Sequence, residues 1–348
     1  MKKHIFTVSD IEMGKKDKMD DFHDEKALIN FIDDLNELGK TEESQIVLIF
    51  NGDTFDFLKM DYKGEYPRYI SEEISAWKTD KILQSYEKIF AALKDFLKNK
   101  NNTIHFIFGN HDFDLLWPSI QKKIRQKLVS KQTFFSFTYE THDLHIEHGN
   151  LNDIIYSIDT EKIFVNHKNK PILNLPFGAY AVSQSFIELK KRFSNDERLY
   201  PRKEALNRNK DFKKMSRRLF WKFTIIDLLL KPLYKFRDKT HRVPYLKIIK
   251  HVLHNGITIV NDHKMIENSF KKLIKEHPDK KTFILGHAHV YSSFEYKNRL
   301  CLITDTWREE YDITTEPHKR KPKTYAHILY ENDQMVEIGL KEYHPTNI

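Results

Sequence analysis

The sequence predicts a layered α/β fold, with sheets flanked by helices and a basic, mainly helical insert. Three observations predict it. Short apolar strands alternate with amphipathic helical stretches, the order that buries a sheet on both faces. Five of those strands run out into polar residues at their carboxyl ends. A segment between Lys190 and Lys250 carries 20 Lys+Arg against 6 Asp+Glu, a composition unlike the rest of the chain.

Taken in order, residues 3–9 read as an alternating strand stopping at Asp10, and residues 25–37 as a helix. "QIVLIFNGD" is a second strand. Residues 80–99 read as one long helix with Ile82, Tyr86, Ile89, Leu93 and Phe96 on a single face. "NTIHFIFGNHD" gives a third strand, residues 113–128 a helix, and "FFSFTYETHDLHIEHGN" two strands joined at Thr141–Asp143. Residues 151–278 are predicted mainly helical. The sheet resumes at "KTFILGHAH", with short strands near 291–304 and two more over 325–341. Residues 1–150 and 280–348 are therefore expected to form one domain, and 151–279 an insert or cap.

With 348 residues, 40% hydrophobic and 31% charged, the chain reads as a soluble globular protein rather than a disordered or fibrous one. The apolar run after "MKK" is too short for a signal peptide and no segment approaches a membrane span, so a cytoplasmic location is expected. The single cysteine, Cys301, excludes an internal disulfide and a thiolate metal cluster, and reads as a buried strand residue. The net charge of +8 is uneven: the basic segment holds an excess of 14, which leaves the remainder at −6. Such a segment suggests a surface that meets an anion, either a membrane or a nucleic acid, and no partner protein is evident.

The strand tips spell "TVSDIE", "FNGDTFD", "FGNHD", "EHGN" and "LGHAH". In an extended chain Asp10 and Glu12 point to the same side, although alone they would read as two solvated surface acids. Ligands in open α/β sheets sit at the carboxyl ends of strands, so these tips are expected to share a site. Four of the ten glycines, Gly52, Gly109, Gly149 and Gly286, flank them, where the backbone must turn sharply or be approached closely. The collected side chains are Asp10, Glu12, Asp53, Asp56, Asn110, His111, His148, His287 and His289. Carboxylate and imidazole without sulfur suit Mn, Fe, Co or Zn. The donors outnumber one four-coordinate site, so two divalent metal ions are expected.

These motifs resemble the calcineurin-like metallophosphoesterases. That family's pattern is Asp-x-His, Gly-Asp-x-x-Asp, Gly-Asn-His-Asp or -Glu, a lone His followed by Gly, and Gly-His-x-His, in that order. Here they stand as Asp10-Ile11-Glu12, Gly52-Asp53-Thr54-Phe55-Asp56, Gly109-Asn110-His111-Asp112, His148-Gly149 and Gly286-His287-Ala288-His289, over residues 4–150 and about 280–305. The departure is Glu12, where the family has histidine. The resemblance implies a layered metallophosphoesterase sandwich in which Asp53 bridges two metals, Mn foremost. Asp10 and His289 would hold the first, and Asn110, His148 and His287 the second. Glu12 would either add an oxygen ligand, favouring Mn or Fe, or leave that position to water, with Asp20, Asp21 and His23 as alternative ligands nearby in sequence. His111, oriented by Asp56, would protonate the leaving oxygen or steady the transition-state charge.

The activity implied is hydrolysis of a phosphodiester or pyrophosphate bond by hydroxide generated between the ions. "VSDIEMG", "GDTFDF" and a helical insert look like the branch containing UDP-2,3-diacylglucosamine pyrophosphatases, whose helical lid receives acyl chains, although that branch commonly has Arg where His111 stands. A nuclease is the second reading, since "GNHD" is shared with metallophosphoesterase nucleases and a basic insert can track a phosphate backbone. The third is a non-catalytic module holding a structural metal, with the insert as an anion- or nucleic-acid-binding surface. Within the insert Phe212, Met215, Leu219, Phe223, Ile226 and Leu230 form a helical stripe, read as a cap helix or as a lipid- or nucleic-acid-facing surface. His145, His167, His251, His254 and His263 fit no motif and read as surface or satisfied core.

Overall fold

A computed structural model describes residues 2–234, 250 and 263–344. Two mixed sheets lie at its centre. The first has six strands in the order β16 (Gln334–Tyr343), β15 (Lys323–Glu331), β1 (Lys2–Val8), β2 (Gln45–Asn51), β3 (Thr103–Ile107) and β4 (Thr133–Ser136). Strands β1 to β4 run parallel, and β15 and β16 are added antiparallel. The second has five strands in the order β11 (Ser292–Tyr296), β12 (Arg299–Ile303), β10 (Thr282–Leu285), β6 (Leu144–Glu147) and β5 (Thr138–Glu140), with β6, β10 and β12 parallel.

The strand period of two sorts side chains between layers. Val47 and Ile49 of β2 join Ile5, Ile107, Leu144, Ile146, Ile284 and Leu302 between the two sheets. Ile46, Leu48 and Phe50 face the other way, packing with Phe31 of α1 (Glu25–Thr41) and with residues of α2 (Glu72–Ser85), α3 (Glu87–Phe96) and α4 (Pro118–Leu128). On the outer face of the second sheet Phe283, Leu285, Cys301 and Ile303 pack on Phe270 and Leu273 of the helix Glu276 ends, His263–Glu276. The result is a helix–sheet–sheet–helix sandwich, and each fully buried large apolar side chain contributes roughly 1.5–3 kcal/mol. Cys301 is buried in β12 as expected.

Three elements differ from the sequence reading. The helix expected over 80–99 is two helices that break at Tyr86, whose backbone sits at φ −112°, ψ 35°. Tyr86 is fully buried and its hydroxyl donates to Asp20 Oδ2 at 2.8 Å. Residues 113–128 divide into a 3₁₀ turn and α4, because Pro118 has no N–H to continue a helix and instead begins one. "FFSFTYETHDLHIEHGN" supplies three strands, with β4 in the first sheet and β5 and β6 in the second, so the chain changes sheets at Phe137.

Within 151–279 the described chain holds the hairpin β7 (Phe164–His167) and β8 (Lys170–Leu173), then α5 (Phe177–Ala181), α6 (Ile187–Arg192), β9 (Leu199–Tyr200), α7 (Arg202–Arg208) and α8 (Lys210–Tyr234). This segment is stitched to the sandwich. β9 pairs in parallel with β13 (Tyr311–Asp312), which also pairs with β14 (Lys319–Arg320), and Leu173 N donates to Ile70 O at 2.9 Å. Of the predicted stripe, Phe212 and Leu219 are buried against Leu189, with Met215 packed on them. The side chains of Phe223, Ile226 and Leu230, and residues His251 and His254, lie outside the described residues, as does the side chain of His263. Among the described residues no helix is long and apolar enough to cross a membrane.

Candidate metal centre

The parallel strands β1, β2, β3, β6 and β10 deliver the motif residues to one edge of the sandwich. Asp10 and Glu12 follow β1, Asp53 follows β2, Asn110 and His111 follow β3, His148 follows β6, and His287 and His289 follow β10. Five of these residues have left-handed backbones: Asp10 (φ 53°), Glu12 (57°), Asp53 (48°), His287 (65°) and His289 (52°). Non-glycine residues avoid that region by ~1–2 kcal/mol each, so strain is concentrated at this edge and held there by its surroundings.

The loops lock together through hydrogen bonds. Glu12 N donates to Asp53 O at 2.8 Å, Gly286 N to His148 O at 3.0 Å, His111 N to Asp53 Oδ1 at 2.7 Å, and His287 N to Asp10 Oδ2 at 3.1 Å. Asp112 clamps two motifs, accepting from Gly109 N at 2.6 Å and Thr54 N at 2.8 Å. Burial, followed by the charge of Asp53, pushes its carboxyl up to about 7. A β-carbon on Gly109 would collide with Asp53, which is the close approach that glycine serves there.

Asp53, His148 and His287 each place a ligand atom within 4.8 Å of the others. His148 Nδ1 donates to Asn51 O at 2.8 Å, which leaves the lone pair on Nε2 when the ring is neutral. Nε2 lies 3.2 Å from Asp53 Oδ2; burial opposes protonation of this ring, but Asp53 and Asp10 outweigh it and push it up to about 10, so in the absence of an ion a proton lies between the two, while the buried Asn110 Oδ1 has no hydrogen-bond partner. A divalent ion would take the place of that proton, since an imidazole that ligates a metal is neutral. Carboxylate, amide and imidazole donors suit a first-row divalent ion, so this half of the site fits one. Asp153, which no motif marked, stands beside it with Oδ2 3.3 Å from His287 Nε2.

The other half differs. His289 Nε2 lies 3.1 Å from Asp10 Oδ1 and 3.7 Å from Glu12 Oε1, while its Nδ1 faces Glu310 Oε1 at 3.4 Å. Glu12, expected as a ligand or as a place left to water, is instead the centre of an ion-pair knot. It accepts from Lys59 Nζ at 2.8 Å and, through both oxygens, from Arg308 Nη1 at 3.1 Å. Burial would raise the Glu12 carboxyl, but Arg308 and Lys59 override it and hold it well below the ordinary carboxylate range. Glu12, Asp56 and His111 also bring ligand atoms within 4.8 Å of one another, but here Lys59 and Arg308 already hold the Glu12 carboxylate.

His111 Nδ1 lies 2.9 Å from Asp56 Oδ1, and its side chain is 13% exposed. Burial opposes its protonation, but Asp56, Asp53 and Glu12 outweigh burial and push it up to about 10. The alternative ligands face elsewhere. Asp20 accepts from the backbone N–H of Gly14, Lys16 and Phe22, Asp21 pairs with Lys59 and Lys190, and His23 is exposed. Of the histidines outside motifs, His145 is buried between Glu140 (3.0 Å) and Glu147 (3.1 Å), and His167 stacks on Tyr69. Lys59, Arg308, Glu310 and Asp153 were not legible as site residues, and Asp21, expected as an alternative ligand, is instead a partner of Lys59 and Lys190. The available signals were weak: Lys59 three residues after Asp56, and the charged run "REE" separated by four residues from the end of a short apolar strand.

No protein-family model and no curated protein matches the chain. Solved structures that it is similar to include a dimetal phosphatase from Danio rerio, at 13% identity over 97% of this chain and 95% of that one, with a TM-score of 0.39. A protein from Streptococcus pneumoniae described as a predicted phosphoesterase aligns at 10% identity over 99% and 98% of the two chains, with a TM-score of 0.31. A phosphopantetheinyl hydrolase from Mycobacterium tuberculosis aligns at 11% identity over 88% and 90%, with a TM-score of 0.26. Similarity of this degree is one of general shape, and the chemistry of the site rests on its own side chains.

Proposed function

We propose that the chain is a metal-dependent phosphoesterase that hydrolyses a phosphodiester or pyrophosphate bond at this edge of the sandwich. The observation that carries the reading is the convergence of Asp53, His148 and His287, whose ligand atoms lie within 4.8 Å of one another, together with the buried Asn110 Oδ1 that has no hydrogen-bond partner. A divalent cation held by Asp53, Asn110, His148 and His287 would polarise a phosphoryl oxygen and acidify water. The protein's own groups do the remaining work. His111, bonded to Asp56 through Nδ1 and charged near neutral pH, has its other ring nitrogen available to protonate a leaving oxygen, a contribution worth about 10²–10⁴-fold. Asp112 and the hydrogen bonds between loops keep those groups in fixed relation. The family resemblance of the five motifs supports the same reading.

The test is hydrolysis of bis(p-nitrophenyl) phosphate by metal-stripped protein resupplied with Mn, Fe, Co, Zn or Mg. Turnover that needs metal, disappears in Asp53→Asn and falls about 10²-fold or more in His111→Ala is expected. Silence with every metal, and with UDP-linked lipids as well, would overturn the phosphodiester and pyrophosphate reading. Cleavage of DNA or RNA with salt-dependent binding would replace it by the nuclease reading.

A further inference from the structure

The two halves of the strand-tip cluster differ in how their charge is met. Asp10, Asp53 and Asp112 are buried, and none forms an ion pair with a lysine or arginine among the described residues; Asp10 and Asp53 face histidines instead. Around Glu12 the reverse holds. Lys59 Nζ lies 2.8 Å from Glu12, 2.9 Å from Asp21 and 3.0 Å from Asp56. Arg308 bridges Glu12 at 3.1 Å and Glu310 at 2.7 Å, Lys190 closes on Asp21, and Lys321 reaches Glu310 at 3.2 Å. Five buried carboxylates, Asp305 among them at 2.7 Å from Lys321, thus meet Lys59, Arg308, Lys190 and Lys321, with Arg198 3.9 Å from Asp21 and Arg202 4.0 Å from Glu310 at the margin.

A divalent ion beside Glu12 would bring two positive charges, and Lys59 with Arg308 already brings two. Arg308 Nη1 contacts both Glu12 oxygens and Lys59 Nζ contacts Oε2, which together take three of the roughly four lone-pair sites of that carboxylate, so an ion there competes with both cations. Of the two imidazoles on this side, His111 is held by Asp56 at 2.9 Å and His289 has a carboxylate at each ring nitrogen. The residue types are consistent with this exchange: where the family's pattern has a neutral metal-binding histidine, this chain has an anion, and two cations are gathered around it.

We propose that Lys59 and Arg308 take the place of one ion of the expected pair, so that the chain binds a single divalent cation, at Asp53, Asn110, His148 and His287. This rests on the phosphoesterase reading and narrows it to one-ion chemistry, with Lys59 and Arg308 as positioning and charge-supplying residues. The number and place of bound ions can be read without any turnover.

The experiment is a metal count on full-length protein loaded with Mn and freed of excess, by elemental analysis against protein concentration, with the same count on His148→Ala and His289→Ala. One ion per chain is expected, held at least about tenfold more weakly in His148→Ala and retained in His289→Ala. Two tightly held ions in the wild-type chain would overturn the inference and leave the phosphoesterase reading standing. No bound ion would overturn both. A single ion lost in His289→Ala but kept in His148→Ala would overturn its placement. Calorimetric titration of Arg308→Met with Mn adds a gain of binding: a second, weaker ion is expected once that guanidinium is gone. Its absence in folded Arg308→Met would overturn the claim that Arg308 excludes the ion. If that variant does not fold, the wild-type count and the two histidine variants still decide.

Discussion

At His289 the backbone turns through φ 52°, where a β-carbon crowds the following carbonyl at a cost of ~1–2 kcal/mol. Glycine avoids that crowding. Since His289→Gly and His289→Ala lose the same ring and the same contacts with Asp10 and Glu310, the difference between them isolates the backbone. His289→Gly is expected to be the more stable of the two by about 1 kcal/mol in urea unfolding of metal-free protein. Equal midpoints would show that the left-handed turn carries no strain. Gly109 makes the complementary case: a β-carbon there meets Asp53 Oδ1 and N, so Gly109→Ala should weaken metal binding and turnover by about 10²-fold while the far-ultraviolet circular dichroism is unchanged. Asp53, Asn110, His148 and His287 were legible in the sequence because each lies beside a glycine or a fixed neighbour at the end of an apolar run, a purely local pattern. Lys59 and Arg308 were not, because they lie 249 positions apart in the chain, and only the folded sandwich brings both to Glu12.

Among the elements, the β1–β15 pairing holds a pH dependence independent of the metal centre. His327 of β15 stacks on Phe6 of β1 with ring centroids 4.5 Å apart, and its Nε2 lies 3.0 Å from His4 Nδ1. Lys341 Nζ sits 3.2 Å from its Nδ1, and Glu337 stands at 3.7 Å. Burial first, then Lys341 and His4, lower His327 to about 4 against an ordinary 6.5, with Glu337 opposing. A histidine whose folded value is depressed contributes stability that is fully present above pH 6.5 and is lost as pH falls toward 4, because the unfolded chain takes up the proton first. Chemical unfolding between pH 7 and 4 should show this loss, and His327→Phe, which keeps a ring against Phe6, should flatten it by about one proton per chain. An unchanged slope would exclude His327 as its source. The elements the sequence misjudged had tertiary causes. The apolar face that suggested one helix over 80–99 is present on both α2 and α3, and the break at Tyr86 accompanies a hydroxyl bonded to Asp20, 66 residues away.

On the scale of the whole molecule, the basic excess of residues 190–250 is partly internal. Composition cannot distinguish a cation facing solvent from one facing the sandwich, so Lys190–Lys250 reads as a surface. Lys190 is nevertheless 2% exposed and closes on Asp21, Arg198 Nη1 reaches Glu309 at 2.8 Å, and Arg202 Nη2 lies 4.0 Å from Glu310. Together with the β9–β13 pairing these contacts dock the insert on the same charge network that surrounds Glu12. Insert and site are thereby coupled through Asp21, which Lys59 approaches from the sandwich and Lys190 from the insert. Removing one partner of a buried pair leaves the other charge uncompensated, so Lys190→Met is expected to cost about 3 kcal/mol, and Asp21→Asn a similar amount. If the two side chains act as one contact, Lys190→Met/Asp21→Asn should cost less than the sum of the single changes by about 1–3 kcal/mol in a double-mutant cycle of urea unfolding. Strict additivity would mean that Lys190 and Asp21 do not act as one contact, and that Asp21 draws its compensation from Lys59.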